Sequence, residues 1–248
     1  VPGDSFGAAM TTAPSYEGQP SFFVSAPSAD LAVPVSSGHG KVFLAHVDQH
    51  GQLHSINLLD PVDSIADRRY GTSLALLPEM TFAWAAGCDL AVGAPGTGGG
   101  GTGSIFVVDL DDSGAYQQHV ELPASVLQPA FPPIGSVGAS LALLGDIDGD
   151  GLLNLAIGTV QGASTVIHVN LDGTSGTVLA ISSPPEWALS SAAAAISPPV
   201  LDNHRFGSAL AVLPPGPHTP VARLLVGSTH AGKGGMYSFS LHSPVGWG

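Results

Sequence analysis

The stretch GDIDGDGLLNLAIG, residues 145–158, holds the side chains with the clearest chemical potential in this sequence. Asp146, Asp148 and Asp150 stand two residues apart, and Gly151 permits a sharp bend after them. Carboxylates spaced in this way on a tight turn point at one centre, where a backbone carbonyl can join them. Such hard oxygen ligands suit calcium, so the stretch predicts a calcium-binding loop. The alternative is an Asp-Gly-rich turn without a metal.

An EF-hand is excluded as the origin of this loop. An EF-hand needs a bidentate glutamate at the twelfth position of the loop. Counted from Asp146, that position is Ile157, which lies inside an apolar run typical of a strand. The loop must therefore close in another way.

Composition narrows the possible partners. Six lysines and arginines face nineteen aspartates and glutamates, and the formal net charge is −13. This balance argues against nucleic acid, whose phosphates must be met by cationic side chains. No apolar run is long enough for a membrane helix, so we expect no membrane span. Cys88 is the single cysteine, and it cannot form an internal disulfide.

Four segments of the chain repeat. They begin around Gly7, Gly71, Gly138 and Gly207, at nearly constant spacing. Each beginning is followed by an apolar strand that ends in small residues and then by a further strand. The second strands are predicted at 21–27, 89–95, 154–159 and 223–229, the third at 40–47, 103–110, 164–171 and 234–241, and fourth strands at 52–59, 116–123 and 178–183. Only residues 190–196 favour a helix.

Short strands repeated in this way predict an all-β fold, a β-propeller with four recognisable blades in one domain over residues 1–248. Small residues in the first strand of each unit suit the crowded axis of a propeller. A sandwich of unrelated hairpins is the alternative. The blades extend over approximately 1–69, 70–136, 137–205 and 206–248.

The repeat resembles the FG-GAP repeat of integrin α-chain propellers and related extracellular proteins. VGASLALLGDIDGDGLLNLAIG, residues 137–158, matches that pattern best, and the unit from residue 70 keeps the framework without the acidic loop. The first and fourth units match more loosely. The resemblance spans nearly the whole chain and implies an extracellular or cell-surface protein.

The FG-GAP form closes its calcium loop with an acid at the ninth position, which is Asn154 here. The resemblance thus implies a ligand set formed by the side chains of Asp146, Asp148, Asp150 and Asn154 with the carbonyl of Leu152. An amide in place of a carboxylate predicts weaker binding. The ion would brace a hairpin, and the other units lack clustered carboxylates, so we expect one site.

Three further constellations suggest little chemistry. The glycine run at 96–103 lacks the Lys-Ser/Thr ending of a phosphate loop and is expected to be a flexible loop able to contact a ligand. His46 and His54 could meet across a hairpin and bind zinc, although a solvated hairpin is favoured. Cys88 has no obvious basic partner and is expected to be structural. We assign no catalytic residues and expect no enzyme.

Arg69 and Arg205 each precede the beginning of a repeat, and Asp67 and Asp202 stand close before them. They are expected to form salt bridges between blades or to lie on a ligand face. The proline-rich stretches at 128–135 and 197–200 read as stiff connections between blades.

The fourth unit has no clear outer strand. Either this blade has three strands, or the chain belongs to a larger propeller, or another chain pairs with its open edge. The leading hypothesis is a non-enzymatic, calcium-binding module for adhesion, protein interaction or extracellular assembly, including assembly with copies of itself. The alternatives are a glycan-binding propeller and an accessory domain of a secreted hydrolase.

Overall fold

Four antiparallel sheets, each formed by one continuous stretch of chain, make up the fold. The computed structural model describes residues 4–16, 18–29, 38–59, 69–78, 87–96, 102–127, 136–147, 151–159, 165–172, 179–182, 189–190, 205–217, 221–229 and 234–241. One four-residue helix is the only helix in these ranges. The predicted all-β class is therefore confirmed.

Sheets 1 and 2 contain four strands each, in chain order. Sheet 1 consists of β1 (Met10–Tyr16), β2 (Gln19–Ala26), β3 (Lys41–Val47) and β4 (Leu53–Leu59). Sheet 2 consists of β5 (Ser73–Leu77), β6 (Cys88–Ala94), β7 (Ser104–Leu110) and β8 (Tyr116–Pro123), which leads into the helix α1 (Ala124–Leu127).

Sheets 3 and 4 differ at their outer edges. Sheet 3 consists of β9 (Ser140–Gly145), β10 (Leu153–Gly158), β11 (Thr165–Asp172), β12 (Leu179–Ser182) and β13 (Leu189–Ser190). The strands β12 and β13 both pair with β11, at separate places along it. Sheet 4 consists of β14 (Phe206–Leu213), β15 (Arg223–Ser228) and β16 (Gly235–Ser240), so three strands are described there.

The predicted repeating strands are confirmed to within a few residues. The third strand predicted at 103–110 is β7, and the fourth strand predicted at 116–123 is β8. The sequence favours a helix over residues 190–196, but Ser190 is the last residue of the strand β13. Residues 191–196 lie outside the described ranges. The helix α1 was not predicted.

Two hairpin turns are closed by an aspartate in the same way. Asp48 Oδ1 accepts the N–H groups of His50 and Gln52, at 2.8 and 2.9 Å. Asp111 Oδ1 accepts those of Ser113 and Ala115, at 2.9 and 3.0 Å. Hydrogen bonds to the charged carboxylate lower the pKa of both side chains. The largest effect comes from the N–H of Gln52 at Asp48 and from the hydroxyl of Ser113 at Asp111.

The sheets stack in chain order through their faces. The first strands lie side by side, β1 beside β5, β5 beside β9 and β9 beside β14; no such packing joins β14 to β1 in the described part of the chain. We call the face of a sheet that points to the next sheet its outgoing face and the opposite one its incoming face. Three apolar clusters fill the three junctions, and they include Phe23 with Leu90, Leu77 with Leu155, and Ala156 with Leu224.

A serine and two glycines form the same contact in the second and third junctions. Ser73 Oγ donates to the carbonyl of Gly138 at 2.8 Å, and Ser140 Oγ donates to that of Gly207 at 2.6 Å. The glycine on the second strand of each donor sheet lies against the same carbonyl: a β-carbon at Gly93 would overlap Gly138 O, and one at Gly158 would overlap Gly207 O. These glycines are required for the close approach of successive sheets.

Candidate functional site

The predicted calcium loop connects β9 to β10 and closes through its own polar side chains. The N–H of Gly151 donates to Asp146 Oδ2 at 3.0 Å, and the N–H of Ile147 donates to Asn154 Oδ1 at 2.6 Å. Asp146 and Asn154 are therefore both engaged with the loop backbone. Asp148 and Asp150 lie outside the described residues, and Leu152 is half-buried within the loop.

The described oxygens of this loop fit a hard cation by type. A carboxylate oxygen and an amide oxygen each retain a second lone pair beyond the hydrogen bond that they accept. Within the described ranges, no three His, Cys, Asp or Glu side chains converge as metal ligands would. The described part of the loop thus holds three members of the predicted ligand set of five, Asp146, Leu152 and Asn154.

Asn154 also links the loop to the next strand. It is fully buried, and its Nδ2 donates to Asn170 Oδ1 at 2.7 Å. A carboxylate at position 154 could accept from the loop but could not donate to Asn170. The amide therefore stabilises the loop in a way that an aspartate cannot.

A polar cross-strand pair stands at the same place on the second and third strands of every sheet. The four pairs are Ser21 with His46, Asp89 with Asp109, Asn154 with Asn170, and Arg223 with Ser240. Sequence analysis did not identify this series, although aligning the repeats on their glycines would have found it. Asp89, which is fully buried, thus occupies in sheet 2 the position of the loop residue Asn154.

His46 lies in the hairpin predicted for it, but it is held by neutral partners. Its Nδ1 is 2.9 Å from Ser21 Oγ, and its Nε2 is 3.4 Å from Asn57 Nδ2. His54 is exposed and lines the same cavity as His46. Because both ring nitrogens of His46 have partners, the structure favours a buried structural histidine over a zinc ligand.

Cys88 is buried in the first junction, as expected for a structural thiol. Its Sγ is 3.2 Å from the hydroxyl of Tyr16, which comes from sheet 1. Burial, and after it the hydrogen bond with Cys88, raises the pKa of Tyr16 far above its usual range. The pair therefore links sheet 1 to sheet 2.

The residue two positions before each repeat glycine is left-handed in all four units. The φ angles are 57° at Ser5, 54° at Arg69, 62° at Ser136 and 45° at Arg205. Such a conformation costs a non-glycine residue about 1–2 kcal/mol, so a glycine would be the less strained choice. Hydrogen bonds of 3.1 Å close three of these turns, from Ala8 N to Ser5 O, from Thr72 N to Arg69 O and from Ser208 N to Arg205 O.

The last three of these turns converge on one cleft of about 320 Å³, which we call the repeat-start cleft. Its lining comes from three sheets: Arg69, Thr72, Pro95, Gly96, Ser136, Ala139, Arg205, Ser208 and Thr229. Asp67 and Asp202, the proposed partners of the arginines, lie outside the described residues. Gly96 contributes the beginning of the predicted glycine loop, of which residues 97–101 also lie outside the described ranges.

The outgoing face of sheet 4 is exposed, and the incoming face of sheet 1 is exposed in part, since Val24 and Ala45 on that face are buried. Phe6 is 60% exposed, whereas its counterparts in the later units, Tyr70, Val137 and Phe206, are 2%, 0% and 0% exposed. Met236 is 73% exposed on sheet 4, although Val42, Ile105 and Val166 at the same place in sheets 1 to 3 are fully buried. Ile56 and Leu58 extend the exposed apolar surface on sheet 1. We call these two surfaces the end faces.

Fold and site together define the class of the protein: an all-β repeat protein of four stacked antiparallel sheets. No protein-family model matches the chain, and no curated protein sequence matches it. Within the described ranges no helix is long and apolar enough to cross a membrane.

Proposed function

We propose that the four sheets are blades of an FG-GAP-type propeller, and that the chain is a non-catalytic, calcium-binding assembly module outside the cell. The observation that carries this proposal is the pair of end faces. They are the two halves of a junction of which the molecule already contains three complete examples. A second copy of the chain is therefore the occupant that we assign to them.

The end faces match in shape at the positions that the internal junctions use. Gly227 has the same place in sheet 4 as Gly93 in sheet 2 and Gly158 in sheet 3, each of which lies against the carbonyl of the next repeat glycine. Among the described residues, no such carbonyl lies against Gly227, where the nearest atom to an added β-carbon belongs to Ala209, at 3.2 Å. Gly7 is the corresponding repeat glycine of the first unit, and open space surrounds it. The segment around Gly7 of one copy thus fits against Gly227 of another.

The end faces also match in charge. In the first junction, the turn closed by Asp111 packs on sheet 1, where Gly114 lies against Leu44 and Tyr16. The corresponding turn of sheet 1 is closed by Asp48. By the same packing, this turn of a second copy approaches the part of sheet 4 that carries Arg223. A carboxylate and a guanidinium would then meet across the interface.

Sedimentation velocity tests the assembly. Wild-type protein is expected to form dimers or larger head-to-tail species whose share grows with concentration, because such a contact is heterologous. Phe6→Ser should shift the population to monomer, since it removes an aromatic side chain that the fold leaves exposed. Val126→Ser is the matched control, because Val126 is also exposed but lies on α1, away from the end faces.

A wild-type protein that stays monomeric at its highest soluble concentration would contradict self-assembly and favour further sheets of a larger propeller as the occupants. Equal dissociation by Phe6→Ser and Val126→Ser would contradict the assignment of the interface. Either result leaves the calcium part of the proposal to its own test.

Calcium titration by calorimetry tests the acidic loop. We expect one site with a Kd of roughly 10⁻⁴ to 10⁻³ M, as in extracellular modules. Asp146→Asn should abolish binding because it removes a charged ligand. Asn154→Asp should tighten binding by about tenfold, equivalent to about 1.4 kcal/mol, because it restores a carboxylate.

Asp111→Asn is the control for the calcium titration, since Asp111 closes a turn in a different sheet and should not change the Kd. Nanomolar affinity would contradict the effect assigned to the amide of Asn154. Binding that persists unchanged in Asp146→Asn would contradict the site.

A further inference from the structure

We infer that the repeat-start cleft binds a sugar that carries an oxyanion, a carboxylate or a sulfate, through Arg69 and Arg205. This inference goes beyond the proposed function and requires neither assembly nor calcium. It rests on the composition of the cleft, its size, and the strained turns that build it.

The charge of the cleft is unusual for this chain. The sequence contains six lysines and arginines against nineteen acidic residues, yet two of the six line this one cleft. Both guanidinium groups belong to exposed residues, and within the described ranges neither forms an ion pair. Two guanidinium groups at one cleft form a binding site for an oxyanion, since each can donate two parallel hydrogen bonds to it.

The remaining lining suits a hydroxylated ligand. Thr72, Ser136, Ser208 and Thr229 place four hydroxyl groups around the arginines. Thr72 Oγ1 donates to Arg69 O at 2.7 Å and Ser208 Oγ donates to Gly227 O at 3.4 Å, so these two hydroxyls offer lone pairs that can accept from the hydroxyls of a sugar. The described lining contains no aromatic side chain, so recognition depends on polar contacts and charge.

The size of the cleft limits the ligand to a small one. About 320 Å³ lies at the lower end of the range of ligand sites, which is roughly 300–1,000 Å³. A single acidic sugar ring at the end of a glycan suits this volume better than an extended acidic peptide.

The backbone explains how the cleft is built. Arg69, Ser136 and Arg205 line the cleft in left-handed conformations that glycine or asparagine would adopt with less strain. The same conformation occurs at Ser5, which does not line the cleft, so it is a feature of the repeat that brings these three side chains to one place.

The test is an NMR titration of the full chain with D-glucuronate, D-glucose 6-sulfate and D-glucose. We expect shifts at the cleft residues for at least one of the two charged sugars and none for glucose. A stronger response to glucuronate identifies a carboxylate ligand, and a stronger response to the sulfate ester identifies a sulfated one. Higher salt should weaken either complex.

Two substitutions and a control link the binding to the arginines. Arg205→Gln and Arg69→Gly should each weaken the binding of the preferred sugar by about tenfold or more, since each removes a charge-assisted hydrogen bond. Glycine favours the left-handed turn at position 69, so Arg69→Gly keeps the fold. Lys41→Gln makes the same change of charge outside the cleft and should leave affinity unchanged.

Three results would overturn the inference. They are the absence of binding by both charged sugars, equal binding of glucose, and affinity that Arg69→Gly and Arg205→Gln leave unchanged. Tighter binding of a short aspartate-rich peptide, included as a fourth titrant, would replace the sugar with an acidic protein segment as the ligand.

Discussion

Gly158→Ala is expected to lower the free energy of unfolding by about 3 kcal/mol. The new β-carbon would overlap the carbonyl oxygen of Gly207 and the hydroxyl of Ser140, so the third junction must open or shift. The hydrogen bond from Ser140 Oγ to Gly207 O would be disturbed by the same shift. Urea denaturation followed by circular dichroism measures the loss.

Gly227→Ala is the matched control, because Gly227 has the same place in sheet 4 but faces no further sheet in the described part of the chain. Its β-carbon would meet Ala209 Cβ at 3.2 Å, which a small movement relieves. Its effect should stay within about 1 kcal/mol in either direction. Both variants should be measured in dilute solution, where assembly does not contribute. Equal losses would show that the cost comes from the strand itself and not from the junction.

Phe106→Ala is expected to cost about 3–5 kcal/mol, the usual range for truncating a buried phenylalanine. Phe106 is almost fully buried in the first junction. Its ring centroid is 5.3 Å from that of Tyr70 and 5.7 Å from that of His119. The substitution removes these contacts and leaves a cavity between sheets 1 and 2, and thermal or urea unfolding reports the change.

Phe43 supplies the control for Phe106. It stands at the same place on the third strand of sheet 1, but it faces the exposed end face and is only half-buried. Its ring contacts Phe6 at 5.6 Å between centroids, and Phe6 is itself exposed. Phe43→Ala should therefore cost about 1–2 kcal/mol on the area that it buries. A loss as large as that of Phe106→Ala in dilute solution would contradict an open first sheet.

The strands could be predicted because each unit repeats both its apolar alternation and its small residues. The second strand predicted at 89–95 is β6 (Cys88–Ala94), and the one predicted at 154–159 is β10 (Leu153–Gly158). A four-fold alignment suppresses accidental patterns that would mislead an assignment from a single segment. The three described strands of the fourth unit were among the predicted possibilities.

The contacts between sheets could not be predicted, because they depend on which face of each strand meets the next sheet. The serines in Gly71-Thr72-Ser73 and Gly138-Ala139-Ser140 were visible in the repeat, but their carbonyl partners follow only from the stacking. The arginines were visible as well. Their convergence with Ser136 on one cleft depends on the left-handed turns, for which serine and arginine give no sequence signal.

Each sheet is a single uninterrupted stretch of chain, and this has a consequence for how the protein is made. Sheet 1 is fully synthesised once Leu59 has left the ribosome, and each later sheet can pack on a sheet that has already folded. Folding can therefore keep pace with translation from the N-terminus, one unit after another. The sheets pack on neighbouring sheets in chain order, so the apolar face of a finished sheet is covered once the next unit has emerged.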